Sequence, residues 1–173
     1  RAAGHVPERL VPGLDHTTQE EAAVTRQLLP PSPGTPVIIE IPGAPVGKAR
    51  PRVTKFGTFM PKPYVAYLKM VALLTQVAMA GRPPIDRPCS LSIVALKARP
   101  ATRPATCPKD LWHDGNVLCP VKPDADNILG SIMDGLEKGG AYTMDSRVCR
   151  VAATTYWCAV GVSPRVDVYL ESL

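Results

Sequence analysis

The hydrophobic and polar positions of this 173-residue chain change period several times, and each change predicts an element. Val37–Ile41 is a short apolar run closed by Pro42-Gly43, which reads as a strand. Arg50–Thr54 and Thr58–Met60 are weaker strand candidates around a turn at Phe56-Gly57. From Lys62 to Ala80 the period becomes helical. Tyr64, Tyr67, Leu68, Val71, Leu74, Val77 and Ala78 recur every three or four residues, Pro63 suits the first turn, and Gly81-Arg82-Pro83-Pro84 ends the run. Ser90–Lys97 returns to a strand, with Leu91, Ile93 and Ala95 on one face. Val94 and Leu96 on the other predict that both faces are covered. Ile128, Leu129, Ile132, Met133 and Leu136 mark a second helix over Ala125–Glu137, stopped at Gly139-Gly140. Arg147–Trp157 and Arg165–Leu170 are rich in Val, Thr and aromatic residues and supply the last strands. The sum is an α+β domain over residues 37–173, a mixed β-sheet with two main helices packed against it.

Two stretches fall outside this pattern. Residues 1–36 form an N-terminal extension: a capping box at Thr17-Thr18-Gln19-Glu20-Glu21 opens a short helix to Leu29, and Pro30–Pro36 is a mobile Pro-rich linker. Arg99–Val121 is a Pro-rich loop carrying Arg99, Arg103 and Lys109. A structureless loop of that length in a compact domain is often functional, and this one leads directly into the most acidic motif of the chain.

That motif is Lys122-Pro123-Asp124-Ala125-Asp126-Asn127. Asp124 or Asp126 is placed to cap the second helix, where the positive end of the dipole favours a carboxylate. The helix rises roughly 18–20 Å, and an extended run from Gly140 to Asp145 covers about 16–17 Å. A reversal at the glycine pair therefore returns Asp145 to the level of Asp124 and Asp126. Three carboxylates brought together repel one another unless a hard cation such as Mg²⁺ joins them. The competing reading is an Asp-capped helix with an unrelated Asp in a turn. An EF-hand loop does not fit, since Gly130 falls one residue late.

Charge adds a second candidate surface. The chain carries a net charge of +5, and from Ile41 to Ile85 it holds seven Lys or Arg and no Asp or Glu. Lys48, Arg50, Arg52, Lys55 and Lys62 open this stretch and suit contact with a nucleic-acid backbone. Phe56 or Phe59 is available to stack on exposed bases. The alternative is a solvated hairpin. Five cysteines without a C-x-x-C pair argue against a disulfide framework or a zinc ribbon, although Cys107, His113 and Cys119 share one loop. No run approaches 18 apolar residues and no apolar signal core is visible, so the expectation is a soluble, reduced, intracellular protein.

Lys-Pro-Asp-x-Asp-Asn at 122–127, the helix containing Asp134-Gly135-Leu136, and Asp145-Ser146-x-Val148 together resemble the RusA family of Holliday junction resolvases. Gly47-Lys48-x-Arg50-Pro51-Arg52 resembles the basic segment that opens its phage-borne members. The likeness runs from about Val37 to the C-terminus. It implies a homodimeric, RusA-like, Mg²⁺-dependent endonuclease that resolves four-way DNA junctions in recombination and repair. No membrane or nucleotide cofactor enters, and the setting is a bacterial cytoplasm, phage or prophage origin included. Asp124, Asp126 and Asp145 then become metal ligands. Two departures stand out: Gly130 occupies the position of a lysine that assists catalysis in the family, and Met144-Asp145 replaces a pair of aspartates. Lys122, from the same loop as the acids, becomes the catalytic cation, while Asp134 serves structure or a subunit contact. The function reading from another class is a DNA-binding module that cuts nothing, using the basic arm while the acids only cap a helix.

Overall fold

The computed structural model describes residues 35–55 and 57–173. The extension expected over residues 1–36 falls almost wholly outside them, as does Phe56. Strands β1 (Val37–Pro42), β2 (Arg52–Thr54) and β3 (Gly57–Phe59) precede helix α1 (Lys62–Met79). Strands β4 (Cys89–Lys97) and β5 (Val117–Leu118) precede helix α2 (Ala125–Lys138), and a 3-10 turn (Asp145–Arg147), β6 (Val148–Trp157) and β7 (Arg165–Ser172) complete the chain. The main sheet has the order β1-β7-β4-β6-β5, with β4 and β6 parallel and the other pairs antiparallel. β2 and β3 form a separate two-stranded hairpin. The α+β class and the mixed sheet with two helices agree with the sequence pattern.

Both helices lie on one face of the sheet. Val37, Ile39 and Ile41, Leu91, Ile93 and Ala95, and Val166, Val168 and Leu170 point into a core closed by Val71, Ile128, Ile132 and Leu136. The second face is covered only toward the end of β4 among the described residues: Leu96 is buried, Ser90, Ser92 and Val94 are half-exposed, and Ile38 and Tyr169 are exposed. The expectation that β4 is covered on both faces holds at Leu96 and is corrected at Ser92 and Val94. Its apolar alternation reflects one deep layer and one shallow one.

In α1 the buried residues are Tyr64, Tyr67, Leu68, Val71, Thr75 and Met79. Val77, expected in the stripe, is exposed. The stripe continues from Val71 through Thr75 to Met79 at four-residue steps, which leaves Val77 on the opposite side. Thr75 is tolerated in the core because its hydroxyl donates to the Val71 carbonyl at 2.8 Å. α1 and α2 pack so closely that Gly135 has no room for a side chain: an added Cβ would lie 2.5 Å from Val71 Cγ1.

The expected 99–121 loop contains structure that the pattern did not announce. β5 pairs Val117 with Trp157 and Leu118 with Tyr156, and Cys107, Val117, Cys119, Trp157 and Trp112 form a second small core. The two indoles meet edge to face with centroids 5.6 Å apart. Arg99 lies 3.9 Å from the Trp112 ring centroid and donates to the carbonyls of Gly115, Cys158 and His113. Arg103 donates to the Cys107 carbonyl. These two cations bind the loop to itself.

Gly135→Ala is expected to lower stability by about 1–2 kcal/mol despite alanine's better helix propensity, because the methyl overpacks against Val71. Chemical denaturation checks this, and adding Val71→Ala should return part of the loss.

Candidate active site

A buried lysine builds the floor of the acidic end. Lys97, the last residue of β4, is 7% exposed. Its ammonium donates to the carbonyls of Val121 at 2.5 Å and Pro123 at 2.7 Å. The loop before α2 is thereby fastened to the end of the sheet, and the Lys122–Pro123 bond is cis. Asp124 follows as the N-cap of α2 with extended backbone (φ −72°, ψ 160°), and its carbonyl accepts the first helical bond, from Ile128 N–H at 3.0 Å. Its side chain makes no capping hydrogen bond. Asp126 lies in the first turn. Both carboxylates are exposed, and neither takes part in an ion pair or side-chain hydrogen bond among the described residues.

The start of the basic segment is stitched to the same helix. Ser131 Oγ donates to the Val46 carbonyl at 2.5 Å, and Lys48 N–H donates to the Asn127 carbonyl at 2.8 Å. Gly47 is pressed against Pro123, where an added Cβ would come within 2.8 Å of that ring's Cβ. Between these pieces lies an open cleft of about 470 Å³, lined by Lys48, Lys122, Asp124 and Asn127 among others. Lys48 continues along α2 to Asp134, with Nζ 3.0 Å from Oδ1. The other oxygen, Oδ2, accepts the Tyr64 hydroxyl at 2.8 Å. Burial, then that bond to Asp134, push the Tyr64 phenol well above its usual range. Arg50, Arg52, Lys55 and Lys62 are exposed, with Arg52 on the β2–β3 hairpin and Lys62 at the start of α1. Phe59 is exposed beside them.

Asp145 is placed elsewhere. It opens the 3-10 turn directly before β6, whose first residue Val148 pairs with Cys89 at the start of β4. Lys97, at the other end of β4, holds the Asp124 loop, so about 26 Å of strand separates the two acidic positions. The chain does turn at the glycine pair, with Gly140 left-handed at φ +77°. It then pairs Tyr142 with Ile85 and runs on into β6 instead of climbing back along α2. The expected reversal is corrected by that pairing. Consistently, no group of three or more His, Cys, Asp or Glu among the described residues is arranged to hold a metal ion. The aspartate pair itself has hard, exposed, uncommitted oxygen donors of the kind Mg²⁺ takes, so that part of the donor set fits the ion.

A model of the endodeoxyribonuclease RusA family matches residues 42–171. The chain belongs to that family. None of the curated proteins compared matches it. The RusA match spans the basic segment, both helices and every strand from β2 to β7, so the aspartate loop and the lysine-rich segment fall inside the nuclease domain. Membership makes the protein a nuclease of the kind that acts on Holliday junctions. No described helix is long and apolar enough to cross a membrane.

Sequence reading missed Lys97 and the contact of Lys48 and Tyr64 with Asp134. The one signal for Lys97 was a lysine ending a strand that carries no other charge. Lys97→Met keeps the stem but leaves two carbonyls without their donor. It should cost about 2–4 kcal/mol and speed amide exchange over residues 121–126. Unchanged exchange there would mean the loop is held by something else.

Proposed function

We propose that this RusA-family protein is a Mg²⁺-dependent endonuclease that cuts four-way DNA junctions as a homodimer in recombination and repair. The observation that carries the reading is the pair Asp124 and Asp126, exposed and without an ion pair or side-chain hydrogen bond among the described residues. The pair stands at the start of a helix whose preceding loop Lys97 fastens, and Asp124 and the beginning of the basic segment line one cleft. Asp124 and Asp126 hold the ion from one copy. Asp145, at the far end of the sheet, completes the donor set from a second copy, and a two-fold assembly then carries two such centres. When bound, Mg²⁺ supplies a water activated near neutral pH and a counter-charge for the phosphate.

The chain's own residues position the DNA. Arg50, Arg52, Lys55 and Lys62 are exposed and follow Lys48 of the cleft in a stretch of chain without acidic residues, a composition that grips phosphates. Lys122, lining the cleft beside Asp124, stands close enough to attract the backbone to the acids. Phe59 offers a ring to an unpaired base.

Asp126→Asn should abolish Mg²⁺-dependent nicking of a synthetic four-way junction while leaving binding intact or tighter, because it removes a charge that holds metal and repels phosphate. Asp145→Asn should do the same. Mixing the two inactive proteins should restore nicking, since a mixed dimer contains one centre with Asp126 and Asp145 both native. Activity that fails to return on mixing would refute the shared centre. Intact nicking by both variants would place the cutting chemistry away from these aspartates, and a native protein that nicks no junction would be a DNA-binding module whose acids only cap a helix.

Arg50→Ala/Arg52→Ala should weaken junction binding and reduce the slope of log affinity against log salt by roughly one unit per lost phosphate contact. Folding stability should change little, as exposed charges contribute little to it. A salt titration by fluorescence anisotropy measures both.

A further inference from the structure

Gly130 stands in the interior of α2, where glycine is unfavourable relative to alanine. The other interior glycine of this helix, Gly135, is accounted for by the close approach of Val71. At Gly130 the space is taken by a side chain from a distant part of the chain. An added Cβ would lie 3.1 Å from Lys48 Cδ and 3.7 Å from Lys48 Cβ. The backbone of Lys48 is bonded to Asn127 and its ammonium to Asp134. Its stem therefore lies along the 127–130–134 stripe of α2, in the groove that a residue with a side chain at 130 would fill.

We infer that Lys48 is the site's phosphate-facing cation, delivered onto α2 from another segment through the gap at Gly130. This rests on the nuclease reading of the Asp124–Asp126 end. Position 130 is one turn from Asp126, and neighbours at that spacing have Cβ atoms about 5–6 Å apart. The Lys48 stem already reaches Gly130, so rotation about its last bonds carries Nζ from Asp134 toward the acidic end. The pair with Asp134 is solvent-exposed, 53% and 30% at the two side chains, and such pairs hold weakly. A phosphate at the cleft competes for the ammonium on good terms. Lys122 lines the same cleft, but Lys48 alone is pinned at its backbone to α2, which fixes where its charge can go. Its role is electrostatic: it meets charge that develops on the phosphate oxygens and forms no bond to them.

The test compares Lys48→Ala, Lys48→Ala/Gly130→Lys and the native protein in single-turnover junction cleavage with Mg²⁺, in junction binding with Ca²⁺, and in Mn²⁺ titration. Lys48→Ala should slow cutting about a hundredfold with less than about a threefold change in junction affinity. It should also tighten Mn²⁺ binding severalfold, since a positive charge near the ion is gone. Lysine at 130 starts in the same groove, so the double variant should regain at least about tenfold of the rate and lose the tighter Mn²⁺ binding. If thermal melting shows the double variant unfolded, Lys48→Arg against Lys48→Gln decides: the charge-keeping variant should stay within about tenfold of native and the neutral one should not. Three results overturn the inference: native cutting by Lys48→Ala, a rate loss matched by an equal loss of junction affinity, or a folded double variant with no recovery. If the native protein cuts no junction, or Asp126→Asn cuts as well as native, the nuclease reading fails and this inference with it. Cutting that depends on Asp126 but not on Lys48 overturns this inference alone.

Discussion

The acidic end of the molecule depends on one buried ammonium. Placing the Lys97 charge in a nearly dry position is costly, and the cost is tolerated because two carbonyls aim at it. Those carbonyls belong to residues 121 and 123, so the loop has little freedom while Lys97 is in place. Asp124 then starts α2 at a set height above the sheet, and the apolar stripe of Ile128, Ile132 and Leu136 fixes the helix's rotation against the core. Gly47, Ser131 and Asn127 join the basic segment to the same turn. Cations and acids are thus neighbours because of bonds made to backbone, before any ligand arrives.

What was legible in the sequence was local. The period of α2 and the alternation of β4 and β7 are set by one buried face each, and a buried face writes itself into hydrophobic spacing. The acidic motif was legible for the same reason, being a helix start with turn residues before it. The misses that bear on the site are non-local. Nothing near Tyr142 in the chain reveals that it pairs with Ile85, yet that pairing sends Asp145 to the far end of the sheet. Trp112 and Trp157 made the 99–121 segment an ordered unit, but their meeting depends on β5 joining β6. Lys48 looked like one cation of a surface run, and only the gap at Gly130, far along the chain, gives it a different address.

The two departures from the RusA pattern read differently once the fold is known. Met144 is an exposed residue just before the 3-10 turn, so the loss of a carboxylate there leaves the core untouched and alters only surface charge beside Asp145. Gly130 removes a side chain from the stripe next to Asp126, and the Lys48 stem covers the opening. The first change is a subtraction, and the second comes with a neighbour that fills the space.

The stitching of residues 46–48 to α2 has a geometric consequence. A flexible tether would let the hairpin search for phosphates at any distance from the acids. Here the root of the basic segment, up to Lys48, is joined to the helix that carries Asp124 and Asp126, by bonds of 2.5 and 2.8 Å, so the spacing between Lys48 and the acids belongs to the protein and not to the nucleic acid. In the proposed complex Lys48 and the acids would act as a caliper set to one opening. A backbone whose phosphates follow a straight duplex and one that turns sharply at a branch would present different spans to it, and under that proposal discrimination between them needs no base to be read.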